Sequence, residues 1–211
     1  MKEPIEKIGE LLSAWQKRNI QGLFVPDKAE AYNKLMEIIP VSASVGISGS
    51  QTLEQLGIVK GLAARGTPVI NQYKPGISRE ESLALRKQGL LADYYLASPN
   101  AIAGTGELVF FSANGNRTAG AAQGNKVIIV AGINKIAVDV NEALKRAREY
   151  ATPLNCKRLN WNTPCFQDGI CRQSICFPPE YKRMCCQILI IEAEMVPERM
   201  RVILVGESLG Y

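Results

Sequence analysis

Apolar residues near the start of the chain recur at helical spacing. They fall every three or four positions, at Ile5, Ile8, Leu11, Leu12 and Trp15. This spacing predicts an amphipathic helix that ends near Asn19. A second helix is predicted from Asp27, which can cap its first turn, through Ile39, where Pro40 closes it. Further helices are predicted from Gln51, from Ser78 to about Gln88, and from Asp139 to Tyr150.

Short apolar runs between these helices are typical of strands. They occupy residues 22–25, 44–47, 68–70, 94–97, part of 104–112, 127–131, and a closing pair at 187–192 and 201–205. Strands that alternate with helices through short loops favour a mostly parallel sheet with helices on both faces. The sequence therefore predicts an α/β fold.

The amino-acid composition of the chain changes after Tyr150. Residues 151–186 are rich in proline, asparagine, aromatic residues and cysteine, and they show no helical or strand period. We interpret them as a Cys-rich irregular insertion near the C-terminus of one domain that spans residues 1–211, because this length suits a single domain. Loops of this length usually have a function or are held in place by additional contacts.

The composition narrows the classes of function. The net charge is +5, from 25 basic and 20 acidic side chains, but the basic residues are scattered. No nucleic-acid partner is therefore expected. Residues 1–4 are charged, unlike a secretory leader, and the longest apolar runs fall far short of the ~20 residues that a membrane span needs. We expect a cytoplasmic protein with no membrane span.

Histidine is absent from the chain. A Ser–His or Cys–His nucleophile pair and a His-ligated metal site are therefore both excluded. Acid–base chemistry would fall to carboxylates, lysine, tyrosine or cysteine.

The segment after the strand at 44–47 has the composition of an anion-binding loop. Its small and polar residues are Ser48, Gly49, Ser50, Gln51 and Thr52. Backbone N–H groups that open a helix lack internal partners, glycine allows close approach, and hydroxyls add donors. A phosphate or carboxylate would therefore be stabilised there. The alternative is that Ser50 only caps the helix and Gly49 only makes the turn.

Polar residues and glycines near other strand ends extend this candidate ligand site. They are Asn100, Gly104, Thr105, Gly106, Asn116, Arg117, Asn134 and Lys135. In an open α/β sheet such ends form the ligand crevice. Glu107 could face this pocket as a catalytic carboxylate, and Asp93 is the second catalytic candidate. The alternative for Glu107 is a structural carboxylate that nearby N–H groups satisfy.

Seven segments, in family order, resemble the signatures of the LUD-domain family, and within it the lactate-utilisation protein C family. They are residues 48–53, 100–102, 105–109, 115–117, 132–136, 163–165 and 206–211. They are spread along the chain from residue 48 to residue 211. The resemblance implies the NagB/RpiA/CoA-transferase-like fold, which ribose-5-phosphate isomerase, glucosamine-6-phosphate deaminase and the coenzyme A transferases share.

The resemblance also implies a function. Such a protein would be an accessory component of lactate or related 2-hydroxy-acid utilisation that binds a small anionic metabolite. Its partners would be iron–sulfur proteins of a lactate-oxidation complex. The alternative is a stand-alone enzyme that acts on a phosphorylated or acyl-coenzyme A small molecule through Glu107 or Asp93. Sugar-phosphate isomerisation is not expected, because Tyr94 stands where the isomerases carry a second acid.

All six cysteines lie in the insertion, at Cys156, Cys165, Cys171, Cys176, Cys185 and Cys186. Their spacing matches no zinc-finger or ferredoxin pattern, yet thiolates in an irregular loop can converge on a metal. The candidate ligands of an iron–sulfur cluster or zinc are Cys165, Cys171, Cys176 and Cys185. The alternatives are reduced structural thiols or a redox-sensing disulfide. A second alternative function is therefore a metal- or redox-sensing module that works through this insertion.

The last residues of the chain are unusual for a frayed terminus. Leu209 and Tyr211 are apolar and stand beside Gly206 and Gly210. This pattern predicts a tail that packs against the domain itself or against a second copy of the protein. In the second arrangement the protein would be a homodimer.

Overall fold

The computed structural model describes residues 2–211, with side chains from Lys7 onward; the predicted contribution of the Ile5 side chain lies outside the described residues. The helices are α1 Lys2–Lys17, α2 Lys28–Ile38, α3 Gln51–Leu56, α4 Ile58–Ala64, α5 Arg79–Gly89, α6 Asn116–Gln123, α7 Val140–Arg146, α8 Thr152–Arg158 and α9 Pro164–Asp168. The strands are β1 Gln21–Val25, β2 Val45–Ile47, β3 Val69–Ile70, β4 Tyr94–Ala97, β5 Ala101–Ala103, β6 Leu108–Ser112, β7 Lys126–Gly132, β8 Ile136–Ala137, β9 Gln187–Ile191 and β10 Met200–Val205. Within this described part of the chain, every helix is too short or too polar to cross a membrane.

Two sheets organise these elements. The larger sheet has six parallel strands in the order β1-β10-β7-β4-β2-β3. The smaller sheet has four strands in the order β8-β5-β6-β9, and β6 runs antiparallel to both of its neighbours. The predicted α/β fold with a mostly parallel sheet is confirmed. The smaller sheet escapes prediction because β5 and β8 have only three and two residues.

The central strand β7 is apolar on both faces because both faces are covered. Ile128 and Val130 belong to a buried cluster with residues of α2, α3 and α4. Val127 and Ile129 belong to a second buried cluster, which includes the fully buried Trp15 of α1. Successive side chains of a strand point to opposite faces, so a continuous apolar run is expected in a parallel sheet of this kind.

The predicted helix starts are set by local capping. The side-chain oxygens of Asp27, Ser78 and Asp139 each accept a hydrogen bond from the backbone N–H three residues later, at 2.8, 3.0 and 2.9 Å. These bonds satisfy donors that have no partner inside the helix. The signal is local, and it could therefore be found in the sequence.

The predicted end of the helix at Tyr150 is wrong. The helix that begins after Asp139 continues through a wide π-type turn at Ala147–Ala151 into α8. Pro153 lies in the first turn of α8 and brings no backbone N–H, and a π turn accommodates such a break in the regular hydrogen bonding. Residues 151–186 are therefore not irregular throughout, since α8 and α9 both fall within them.

The two closing strands do not pair with each other. β10 lies between β1 and β7 in the larger sheet, whereas β9 pairs with β6 in the smaller sheet. Helix α6 was not predicted from the sequence. Its buried side consists of Asn116, Gly120 and Ala121, residues too small or polar to produce a hydrophobic pattern.

Candidate functional site

Three neighbouring strands of the larger sheet end at one edge. β2 runs into Ser48, β4 runs into Ser98, and β7 runs into a 3₁₀ turn, Ile133–Lys135. The strands are parallel and adjacent in the order β7-β4-β2, so their carboxyl ends lie side by side. We call the site at this edge the crevice and define it by Ser48, Thr52, Ser98, Arg117 and Lys135.

Lys135 is the most deeply placed charge of the crevice, with only 4% of the residue exposed. Its Nζ donates to Ser98 Oγ at 2.8 Å, to Thr52 Oγ1 at 3.0 Å and to the Pro99 carbonyl at 3.1 Å. Burial lowers the pKa of Lys135 well below its ordinary value, and the nearby guanidinium of Arg117 lowers it further. All three partners of this ammonium are neutral oxygens.

Arg117, in the first turn of α6, ties that helix to the loop at 48–52. Its Nη1 donates to Asn100 Oδ1 at 3.1 Å and to the Phe111 carbonyl at 3.2 Å. Its Nη2 donates to the carbonyl of Gly49, and its buried Nε has no hydrogen-bond partner among the described residues. Burial lowers the pKa of this guanidinium as well.

Some polar groups of the loop at 48–52 stabilise helix α3, and others do not. Ser50 caps α3 by accepting a hydrogen bond from the N–H of Leu53 at 3.3 Å, and Gln51 begins the helix. The hydroxyl of Ser48 is buried and has no partner among the described residues. A side chain at Gly49 would meet the hydroxyl of the exposed Tyr73, which would have to move. Ser48 is therefore the one residue of this loop whose hydroxyl has no partner in the described part of the chain.

Arg146 of α7 adds a third cation beside the crevice. It donates to the carbonyl of Asn100 at 2.7 Å and to the carbonyl of Asn134 at 2.8 Å. Burial lowers its pKa, and its charge contributes to the lowered pKa of Lys135. We call Arg117, Lys135 and Arg146 the crevice cations.

The crevice cations are not neutralised within the protein. Among the described side chains, the ion pairs join Arg18 to Glu107, Lys34 to Glu37, Lys145 to Glu142, Arg172 to Asp168 and Arg199 to Glu194. None of these pairs includes a crevice cation. These three partly or fully buried basic side chains therefore bond only to neutral oxygens of the protein.

The C-terminal segment covers the crevice. The Thr52 hydroxyl donates to the Leu209 carbonyl at 3.3 Å, and Asn134 bonds the backbone of Leu209 and Gly210 at 3.0 and 3.3 Å. The Tyr211 hydroxyl bonds to Asn155 in α8 at 2.8 Å. The predicted tail thus packs against its own domain, and it gives no support to a homodimer.

Residues 104–107 lie elsewhere. Glu107 forms an ion pair of 2.7 Å with Arg18 of α1 and accepts a hydrogen bond from the hydroxyl of Thr105. Burial would raise the pKa of Glu107, but the bonds from Thr105, its own backbone and Arg18 outweigh it and lower the pKa. Gly106 has a φ of +109° and accepts a hydrogen bond from the indole of Trp15 at 2.9 Å. This turn is a structural contact with α1.

The structure does not bring Gly104 and Gly106 into contact with the loop at 48–52, and their part in an anion site stays a prediction. Asn100 reaches the crevice from the start of β5, whereas the glycines follow the far end of that strand. The N–H of Gly104 donates to the Ala137 carbonyl at 2.7 Å, inside the smaller sheet. Glu107 consequently gains no support as a catalytic residue of the crevice.

Asp93 and Asn116 also have structural partners. Asp93 precedes β4 at the amino edge of the sheet and accepts hydrogen bonds from the N–H and hydroxyl of Ser44 at 2.8 and 2.7 Å, which lower its pKa. It lies at the opposite edge from the crevice. Asn116 accepts a hydrogen bond from Arg86 at 3.2 Å, and its carbonyl accepts one from the Tyr95 hydroxyl at 2.7 Å.

The cysteines form a second cluster of chemical interest. None of the six forms a disulfide in the structure, and five line one cavity: Cys156, Cys165, Cys171, Cys176 and Cys185. Cys186 is exposed and lies outside it. Among the described residues, no three cysteine or carboxylate side chains are arranged around a position for one metal ion. The prediction of zinc or an iron–sulfur cluster stays a prediction.

Cys156 of α8 and Cys165 of α9 belong to this cavity. Their interaction lowers the pKa of Cys165 and raises that of Cys156. The Thr163 hydroxyl lies 3.3 Å from the Cys165 sulfur. Cys156 did not belong to the predicted ligand set, so its place in the cavity is visible only in the structure.

Sequence reasoning also missed Ser98 and Arg146. Ser98 directly follows β4, so its place at the end of a predicted strand was a usable signal. Arg146 reaches the crevice from the middle of a long helix, where no local feature of the sequence marks it. Its role depends on how α7 packs.

Comparison with known proteins agrees with this architecture. The profile of the LUD domain matches residues 8–205. A solved structure, a DUF162 family protein from Deinococcus radiodurans, is similar with a TM-score of 0.52 and 14% identity, over 97% of this chain and 98% of that chain. At this identity the likeness concerns the fold alone. No curated protein matches the sequence.

Proposed function

Since the chain belongs to the LUD-domain family, we propose that its crevice binds a small anionic metabolite and that the protein is an accessory component of lactate or related 2-hydroxy-acid utilisation. The binding site would consist of Ser48, Arg117 and Lys135, with Arg146 behind them. The lactate role rests on the family resemblance, and the anion rests on the charges of the site.

The observation that carries the proposal is the set of crevice cations without a carboxylate. A buried charge is costly unless it is paired and hydrogen-bonded. Arg117 and Arg146 raise that cost for Lys135, as the lowered pKa of Lys135 indicates. An anion in the crevice would offset this repulsion, whereas a neutral ligand would not.

Two unsatisfied donors suggest where the anion sits. The Nε of Arg117 and the hydroxyl of Ser48 are both buried without a partner, and Arg117 bonds the loop one residue from Ser48. Carboxylate and phosphate oxygens accept charge-assisted hydrogen bonds from groups of this kind. A 2-hydroxy acid also carries a hydroxyl, which could bond to Ser98 or Ser48.

The iron–sulfur partner proteins of a lactate-oxidation complex belong to the same proposal. In this arrangement the crevice supplies anion recognition, and electron transfer occurs in the partners. A catalytic step through Glu107 or Asp93 gains no support, because both carboxylates are bonded at other places in the fold.

A thermal-shift panel tests the crevice. Inorganic phosphate, coenzyme A, L-lactate and D-lactate are compared with chloride at equal ionic strength, because a ligand that binds only the folded state raises the melting temperature. We expect at least one anion to raise it in the wild type and no anion to raise it in Lys135→Met.

The control is Lys126→Met. It makes the same change of charge at the exposed amino end of the strand β7, whose carboxyl end leads to Lys135. We expect this variant to keep the wild-type shift. A flat response of the wild type to every anion, or a full shift in Lys135→Met, would contradict the proposal.

A further inference from the structure

A further basic side chain, Arg86 of α5, lies beside the crevice without a carboxylate partner. Its Nη1 donates to Asn116 Oδ1 at 3.2 Å, and Asn116 directly precedes the crevice residue Arg117. Among the described side chains, no ion pair includes Arg86. Its Nε and Nη2 make no hydrogen bond within the same part of the chain. The half-buried guanidinium therefore keeps unpaired donors next to the crevice.

Tyr73 holds Arg86 from a second side. The guanidinium of Arg86 lies over the Tyr73 ring, with its Cζ 5.2 Å from the ring centre. The Tyr73 hydroxyl lies against Gly49, where an added Cβ would meet it. A cation over an aromatic ring is attracted by the negative face of the ring. Arg86 is therefore held between Tyr73, which contacts the loop at 48–52, and the start of α6.

These contacts close a ring at the carboxyl edge of the larger sheet. Arg117 donates to the carbonyl of Gly49, and Gly49 meets the hydroxyl of Tyr73. Tyr73 carries Arg86, which bonds to the neighbour of Arg117 in the chain. The strand β3 is parallel to β2, and Tyr73 follows its carboxyl end by three residues. Arg117 and Arg86 are thus two guanidiniums of one ring of contacts.

We propose that the ligand of the crevice carries two acidic groups and that Arg86, supported by Tyr73, binds the second of them. The crevice binds the first through Ser48, Arg117 and Lys135. The substrate class is a 2-hydroxy acid whose third carbon bears a carboxylate or a phosphate. This inference rests on the proposed function, because it takes an anion in the crevice as its starting point.

The charge of Arg86 favours a second acidic group over a neutral substituent. Its contacts, the Tyr73 ring and the Asn116 amide, carry no negative charge. A guanidinium forms charge-assisted and often bidentate bonds with carboxylate or phosphate oxygens. Because Arg86 is already held by two neighbours, binding orders it less than it would order a free side chain. Lactate has a methyl group at this end and would leave Arg86 unpaired.

Isothermal titration calorimetry on the full-length protein tests the substrate class. Lactate, malate and 3-phosphoglycerate share the 2-hydroxy-acid group and carry a hydrogen, a carboxylate and a phosphate group on the third carbon. Both enantiomers of lactate and malate are used. We expect the better of malate and 3-phosphoglycerate to bind about tenfold more tightly than lactate, as one added charge-assisted hydrogen bond would give. The ranking of the two identifies the distal group as carboxylate or phosphate.

Arg86→Met separates the second subsite from the crevice. We expect the preference for the doubly acidic ligand to fall to within about twofold, because the charge that binds the distal group is gone. The affinity for lactate should stay at the wild-type value, which also shows that the crevice is intact. Lys87→Met is the matched control, since it removes the same charge from the next, exposed position of α5. This variant should keep the tenfold preference.

A salt titration of the wild type tests the same point without any variant. The added affinity of the doubly acidic ligand comes from charge, so it should shrink as the salt concentration rises from about 0.05 to about 0.5 M. A preference that came from the shape of the ligand would not change.

Four outcomes overturn the inference. They are equal affinity of the wild type for lactate and both doubly acidic ligands, a full preference in Arg86→Met, equal weakening of all ligands in that variant, and a preference that salt does not change. Absence of binding by all three ligands also overturns it. The proposed function fails with it only if the thermal-shift panel is flat as well.

Discussion

The crevice and the contact between α1 and residues 104–107 differ in how their charges are paired. Both contain glycines and a cation that the surrounding fold holds in place. In the α1 contact, Arg18 meets the carboxylate of Glu107 at 2.7 Å, and the two side chains are 25% and 15% exposed. In the crevice, Lys135 and Arg117 bond only to hydroxyl, amide and carbonyl oxygens.

The difference separates a charge that is paired inside the protein from one that is not. An arginine paired with a carboxylate has its charge compensated inside the protein. A buried ammonium among neutral dipoles does not, and it gains from an external anion. Both regions follow strand ends, and the pairing of charge is a feature that distinguishes them.

The largest expected effect is on ligand affinity. Arg117→Met should weaken binding of the most stabilising anion of the panel about 30-fold, which corresponds to the loss of about 2 kcal/mol from a hydrogen bond to a charged group. Arg18→Met removes the same charge from the α1 contact and should leave affinity unchanged. Isothermal titration calorimetry measures both. Equal weakening in the two variants would remove the distinction between the regions.

A smaller effect is expected on the stability of the α1 contact. Glu107→Gln should lower the free energy of unfolding by about 1.5 kcal/mol at pH 7, because the charged hydrogen bond to Arg18 is lost. The pKa of Glu107 is lowered in the folded state, so its contribution is complete above its ordinary pKa of 4.5 and is lost as the pH falls through the folded value. Wild type and variant should therefore converge below pH 4.5 in urea titrations.

The control for this variant is Glu37→Gln, which breaks the exposed pair with Lys34. Exposed ion pairs contribute little to stability. We expect no measurable change in the urea midpoint. A loss as large as that of Glu107→Gln would mean that the α1 contact has no special role.

The smallest expected effect is the pH dependence of the ligand-free crevice, and it has the opposite sign. The pKa of Lys135 is lowered in the folded state, so the folded protein releases this proton at a pH where the unfolded chain still binds it. Stability from this group should rise with pH up to the ordinary lysine pKa of 10.5. The wild type should therefore gain melting temperature relative to Lys135→Met between pH 7 and pH 9. Parallel curves would indicate that the ammonium is already compensated.

Much of the architecture could be predicted because its signals are local. The caps at Asp27, Ser78 and Asp139 lie within a few residues of the helices that they start. The apolar run of β7 reports burial on both faces by itself. Local signals failed at Gly120 in α6, where the buried residues are small, and at β9, whose partner β6 is distant in sequence.

The candidate site was predicted in part, and the division follows strand direction. Lys135 and the loop at Ser48 follow strands of one parallel sheet, so a general rule places them together. Gly106 follows a strand of the smaller sheet, whose reversal at β6 carries the turn away to α1. The residues around Gly106 do not indicate the direction of that strand.

By itself, the sequence determined the α/β alternation, the family, and the presence of basic and hydroxyl residues at strand ends, because periodicity and composition act over short distances. Only the tertiary structure decided which charges are paired. Arg18 meets Glu107 across 89 positions, and Lys135 meets Thr52 across 83. Contacts over such separations depend on the packing of whole elements, and that packing gave a carboxylate to Arg18 and only neutral oxygens to Lys135.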